Sequence, residues 1–120
     1  MAITGTHALV YTTEPEAVRT IFREVFGFDH VDAGEGWLIF ALPPAELGVH
    51  PAEGPGFAAG PRHLLSFMCD DLDATIAELR AKGIEFRDEP TDQGYGIVTT
   101  MALPGGLDVQ LYQPRHPTAV

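Results

Sequence analysis

Three histidines and one glutamine are the candidate donors for a metal or a ligand in this chain. His7 opens the run HALVYT, His50 closes ELGVH before Pro51, and His63 precedes LLSFMC. Imidazole is a common ligand for divalent transition metals and titrates near neutral pH. Gln110, in LDVQLY, adds an amide whose carbonyl can bind a metal but brings no charge and cannot act as a general base. Asp108 shares the strand parity of Gln110. The plainer alternative for each histidine is a strand-end residue with no task. For Gln110 it is a neutral polar group in a ligand cleft. The single cysteine, Cys69, ends an apolar run and is followed by Asp70 and Asp71. Neighbouring carboxylates raise a thiol pKa, which is wrong for a nucleophile, so Cys69 reads as core.

A second set of residues suits the walls of an apolar small-molecule cleft. It comprises Tyr11, Trp37, Phe40, Phe57, Met68, Tyr95 and Tyr112. Tyr11 shares parity with His7, and Tyr112 with Gln110. Trp37, the sole tryptophan, follows Gly34-Glu35-Gly36. Tyr95 lies in the glycine-rich loop DQGYG, which could cover a cleft or serve as a plain turn. About half of this set should be core or interface instead, Phe40 above all.

The elements that must position these residues occur twice. Residues 7–12 read as a strand. Thr13 and Glu16 form a capping box around Pro15, and Val18, Ile21, Phe22, Val25 and Phe26 make one apolar stripe that Gly27 ends. Residues 64–69 read as another strand. Asp70 or Asp71 caps a helix with Leu72, Ile76 and Leu79 on its apolar face. Glu78 and Lys82 pair on its surface, and Gly83 ends it. His7 and His63 are 56 positions apart, as are Gly27 and Gly83. Such self-similarity predicts two copies of one βαβββ unit. Strands over 37–42 and 47–50 complete the first. Strands over 84–87, 97–103 and 107–112, with a turn at Pro104-Gly105-Gly106, complete the second. The modules span 1–53 and 62–120 of a single domain, joined by a Pro/Gly-rich linker at 54–61. The tail from Pro114 reads as loose.

Composition excludes several functions. Seven Lys+Arg against seventeen Asp+Glu give a net charge of −10, with no basic cluster for a phosphate backbone. An acidic surface of this kind would suit a cationic ligand. No run approaches the roughly 20 apolar residues that span a bilayer, and the start lacks the features of a signal peptide. One cysteine excludes an internal disulfide and fits a reducing compartment. The expectation is a cytoplasmic protein that binds neither nucleic acid nor membrane. Gly54-Pro55-Gly56 is no nucleotide loop, because Pro61 rather than a helix follows.

Three stretches, in order, resemble the vicinal oxygen chelate superfamily of glyoxalase I, bleomycin-resistance proteins and extradiol dioxygenases. HALVYTTEPEAVRTIFREVFGF (7–28) is similar to its opening strand, helix and "LGF" close. CDDLDATIAELRAKGIEF (69–86) is similar to its "VDDLD…LxxxG" stretch, and PGGLDVQLYQP (104–114) to its closing "PDGxxxELxQP". The resemblance implies an α+β fold with two βαβββ modules forming curved mixed sheets around a cleft. It also implies a homodimer, with the cleft in some members built by both chains. Family enzymes hold a divalent metal with one donor on each of four strands, and the metal polarises two adjacent substrate oxygens.

The resemblance places His7 and His50 at two of those positions. At the third, Cys69 fills the Val slot of "VDDLD", so the ligand position falls on Leu64, and His63 points to the opposite face unless a bulge restores it. By the same register Leu65, Phe67 and Cys69 face the helices, and Leu64, Ser66 and Met68 face the cleft. Gln110 stands where the family has Glu. Catalytic metals generally take three protein ligands, and two imidazoles with an amide leave a divalent charge uncompensated. The expectation is therefore a small-molecule binder of the bleomycin-resistance kind that sequesters a drug-like or aromatic ligand without turnover and without a resident cofactor. His7, Tyr11, Trp37, His50, Phe57, Leu64, Met68, Tyr95, Gln110 and Tyr112 are its ligand-binding candidates. The alternative is a metal-dependent lyase or extradiol dioxygenase using Fe, Zn, Mn or Ni on His7, His50 and Gln110.

Overall fold

The architecture is that of a computed structural model, which describes residues 4–52, 54 and 60–120. Helix α1 (Pro15–Thr20) continues as a wide π turn over Ile21–Val25. A hairpin of β1 (His30–Asp32) and β2 (Leu38–Phe40) follows. Beyond the linker come β3 (Ser66–Met68), α2 (Leu72–Ala81), β4 (Glu85–Phe86), β5 (Thr91–Asp92), β6 (Gly96–Leu103) and β7 (Leu107–Pro114). The second module's sheet has the order β3-β7-β6-β4, with β5 also on β6. Only β3 and β7 run parallel. The fold is α+β with a mixed sheet, and the second module shows the expected βαβββ order with one additional short strand.

Several local signals act as the sequence implies. Pro15 stands at the start of α1, where its missing N–H costs nothing. Asp71 caps α2 by accepting from the Ala74 N–H at 3.1 Å. Glu78 and Lys82 pair at 3.3 Å. Gly27 and Gly83 adopt φ of 70° and 92° where the helices end, a region open mainly to glycine. The capping box of Thr13 and Glu16 does not form. Glu14 precedes α1, and Thr12 accepts its N–H at 3.1 Å while donating to the Pro104 carbonyl at 2.6 Å. The turn after β6 competes for this segment and outweighs the local box. A Cβ on Gly105 would lie 1.9 Å from Thr12 Oγ1 and 2.6 Å from the Glu14 nitrogen. Glycine is thus what lets the first module's entry dock against the second module's hairpin.

Both helices cover one face of the second sheet. Val18 and Phe22 of the first helical segment join Leu72, Ile76 and Leu79 of α2 over Met101, Leu103, Val109 and Leu111. Phe22 is the junction, with its ring 5.5 Å from Phe26, 5.5 Å from Phe40 and 6.4 Å from Phe67. Phe40 is therefore packed against the core, as its apolar setting implied. Phe67 and Cys69 also pack there, on the parity assigned to them. Burial pushes the Cys69 thiol pKa up, helped by Asp70 and Asp71 and opposed by a hydrogen bond with Thr75. That is core chemistry, not nucleophile chemistry.

The first module departs from the expected plan. Residues 7–12 and 47–50 form no strand ladder, and β1 is a strand outside the expected plan. Tyr11 is 82% exposed, Leu47 90% and Val49 88%. The radius of gyration is 15.4 Å, against about 14 Å for a compact chain of this length. Among the described residues these segments have no ladder partner, although β3 and β4 each keep an open sheet edge. Among the described residues, no helix is long and apolar enough to cross a membrane.

Candidate functional site

Register decides which side chains share the sheet face opposite the helices. Ser66 lies beside Gln110 and Gln110 beside Thr100, while Met68 lies beside Tyr112 and Tyr112 beside Val98. Side chains opposite one another in a ladder point the same way. Val109 and Leu111 take the opposite parity and are buried under the helices. Ser66, Met68, Thr100, Gln110 and Tyr112 therefore stand together on the face the helices leave open.

The turn between β5 and β6 adds Tyr95. Asp92 accepts the Gly94 N–H at 2.9 Å and pairs with Arg115. These two partners hold its carboxyl pKa below the usual value. The Arg115 N–H donates to the Tyr95 carbonyl at 2.8 Å. So fixed, the Tyr95 ring meets Tyr112 edge to face, with centroids 5.7 Å apart. At Gly96 a Cβ would lie 2.9 Å from Tyr112 Cδ2 and 2.7 Å from the Gln113 carbonyl. Only glycine lets β6 approach the ring this closely.

Polar groups join these rings from both sides. Ser66 Oγ donates to Gln110 Oε1 at 2.6 Å, and Gln110 Nε2 donates to the Tyr95 hydroxyl at 3.1 Å. The Tyr112 hydroxyl lies 3.2 Å from His116 Nε2. Glu46, from the unpaired segment of the first module, places Oε2 3.9 Å from that same nitrogen, and its Oε1 accepts the Ala119 N–H at 2.8 Å. Desolvation pushes the Tyr112 pKa up, and the negative charge of Glu46 and the neighbouring Tyr95 add to it.

Of the candidates taken from the sequence, the structure brings Met68, Tyr95, Gln110 and Tyr112 to this face. Leu64 precedes β3 on the same parity and is exposed. His7, Tyr11 and His50 are exposed on segments without ladder partners, and Trp37 is exposed at the β1–β2 turn. Phe57 lies outside the described residues. His63 is exposed ahead of β3. Among the described residues, no three His, Cys, Asp or Glu side chains converge as a metal would require. The Gln110 amide is engaged by Ser66 and Tyr95, and Asp108 is paired with Arg87 at 2.5 Å.

Sequence reasoning missed two members, Glu46 and His116. Glu46 reaches across 73 positions to the Ala119 amide, and no local pattern marks such a contact. The tail is not loose, since Arg115, His116 and Ala119 are all tied down. Ser66 was visible by its parity alone.

Two tyrosine rings, one amide and one hydroxyl thus share a sheet face of a βαβββ module whose other face is covered by two helices. The sequence model of the Glyoxalase/Bleomycin resistance protein/Dioxygenase superfamily matches residues 6–111, and the chain belongs to that superfamily. Among solved structures it is similar to TnmS3, an antibiotic binding protein from Streptomyces sp. CB03234. The two share 27% identity over 95% of this chain and 98% of that one, with a TM-score of 0.65. A glyoxalase/bleomycin resistance protein from the same organism is 26% identical over 87% and 95% of the two chains, with a TM-score of 0.56. Lactoylglutathione lyase from Agrobacterium tumefaciens, 16% identical over 94% and 95%, shares the fold with a TM-score of 0.63. Comparison with curated proteins gives no match.

Proposed function

We propose that the chain is a small-molecule-binding protein that holds a planar aromatic or drug-like ligand by sequestration, without a resident metal. The observation that carries this reading is the open face itself. Tyr95 and Tyr112 stand edge to face, with the amide of Gln110, the hydroxyl of Ser66 and the apolar Met68 beside them. Apolar and aromatic walls with a few fixed polar groups are the general pattern of small-molecule sites. Likeness to an antibiotic binding protein at 27% identity supports the same reading. The net charge of −10 would favour a cationic ligand at long range.

The same reading includes a homodimer. Leu9, Tyr11, Leu47 and Val49 are exposed on segments that have no ladder partner among the described residues. Unpaired strand edges with apolar side chains are templates for association. A second copy in the dimer would also bring His7, Tyr11, Trp37 and His50 toward an open face.

Binding is tested with chelator-treated, tag-free protein titrated calorimetrically against planar aromatic antibiotics. Tyr112→Ala is expected to weaken the best of them at least tenfold, about 1.4 kcal/mol. Undiminished affinity in that variant would remove this face from the site. Affinity that vanishes with chelation and returns with metal would contradict the metal-free reading.

A further inference from the structure

The hydroxyls of Tyr95 and Tyr112 stand on neighbouring rings, but their protons are committed differently. Nδ1 of His116 lies 2.8 Å from the Pro117 carbonyl. A carbonyl can only accept, so in the neutral ring Nδ1 carries the proton and Nε2 is left with its lone pair. That lone pair is 3.2 Å from the Tyr112 hydroxyl. The Glu46 carboxylate, 3.9 Å from Nε2, is beyond hydrogen-bond distance, so with this tautomer Tyr112 donates its one proton to His116 and its oxygen offers only lone pairs to an incoming molecule.

Tyr95 is the reverse case. The Ser66 hydroxyl donates to Gln110 Oε1 and so turns the amide with its NH₂ toward Tyr95. The Tyr95 oxygen thus receives a hydrogen bond. Its own proton meets no acceptor among the described residues, so it is free to be donated.

We propose that the two hydroxyls read the polarity of a ligand's edge: Tyr95 takes a ligand acceptor and Tyr112 takes a ligand donor. The matching class is a planar ring whose edge carries a carbonyl beside an N–H or O–H. This rests on the binding reading above and adds the class of ligand that the site selects. A ligand without the donor leaves the Tyr112 lone pairs facing an unpaired group in a dehydrated contact, and such mismatches discriminate more strongly than lost apolar contact. His116 is a positioning residue here, because it acts through the direction of the Tyr112 proton.

Two probes separate the claims. 2-Quinolinone presents a carbonyl beside an N–H, and N-methyl-2-quinolinone lacks the donor. Their fluorescence is titrated into chelator-treated protein. The N–H lactam is expected to bind at least fivefold more tightly. Tyr112→Phe is expected to bring the two within twofold, whereas a purely steric penalty from the methyl group would persist in that variant. Equal binding of both probes by the unaltered chain overturns the polarity and leaves the binding reading intact. Failure of both to bind overturns the binding reading, and the inference with it. An independent readout needs no ligand: nitrogen-15 correlation spectra should show the neutral His116 ring protonated at Nδ1. A ring protonated at Nε2 instead would overturn the assignment of the Tyr112 proton.

Discussion

In the second module β7 has a neighbour on each side, β3 and β6, and its apolar residues Val109 and Leu111 are buried. In the first module, segments 7–12 and 47–50 have no ladder neighbour among the described residues, and Leu9, Tyr11, Leu47 and Val49 face outward. The two halves share an order of helix, glycine stop and strands, so the difference does not lie in local preference. It lies in partners. Strand propensity is a property of a short run, whereas a ladder needs a second backbone. A two-stranded hairpin such as β1–β2 is marginal by itself. What steadies the first module in one chain is therefore its helical segment, through Phe22, and its entry segment, through Gly105.

The largest expected effect breaks that link. Phe22→Ala removes the ring that joins Phe26, Phe40 and Phe67 and should lower stability by about 3–5 kcal/mol in denaturant titration. A loss under about 1 kcal/mol would mean that the first module is steadied elsewhere. Next comes a paired comparison of turn glycines. Gly105 and Gly106 have φ of 76° and 74°, but only at Gly105 would a Cβ collide with Thr12 and Glu14. Gly106→Ala should cost about 1–2 kcal/mol from backbone strain alone, and Gly105→Ala clearly more. Equal losses would refute the docking role of residues 12–14.

Asp71→Ala sharpens the comparison within the second module. It removes the cap on Ala74 and should cost about 1 kcal/mol, read in the same titration. The smallest effect is one of pH. Because the folded Tyr112 pKa is raised, the unfolded chain loses that proton first as pH rises past about 10. Stability should therefore fall with rising pH above the unfolded value, and be insensitive to this group below it. Tyr112→Phe should flatten that decline, measured by thermal melts between pH 8 and 11.

Much of the second module is legible from sequence, because its signals are local and agree. Asp71, the Leu72–Ile76–Leu79 stripe, Gly83 and the turn at Gly105-Gly106 each fix one step of the chain. Parity then assigns Ser66 and Met68 to one face and Phe67 and Cys69 to the other. The first module is less legible. Thr13 and Glu16 offer a good box, yet Thr12 wins through Pro104, a partner 92 positions away. The site is legible in the same uneven way. Gln110 and Tyr112 follow from strand parity, and Tyr95 from a ring within a glycine-rich loop. Glu46 and His116 meet only because the tail returns to the first module, and no spacing in the sequence encodes that return.

A second copy of the chain would supply the ladder partners that the first module lacks. Light scattering on the tag-free protein as it elutes from a sizing column tests this most directly. Twice the chain mass of 13.0 kDa is expected, falling toward a single chain in a Leu9→Lys, Val49→Lys variant. A single-chain mass for the unaltered protein at micromolar concentration would contradict it.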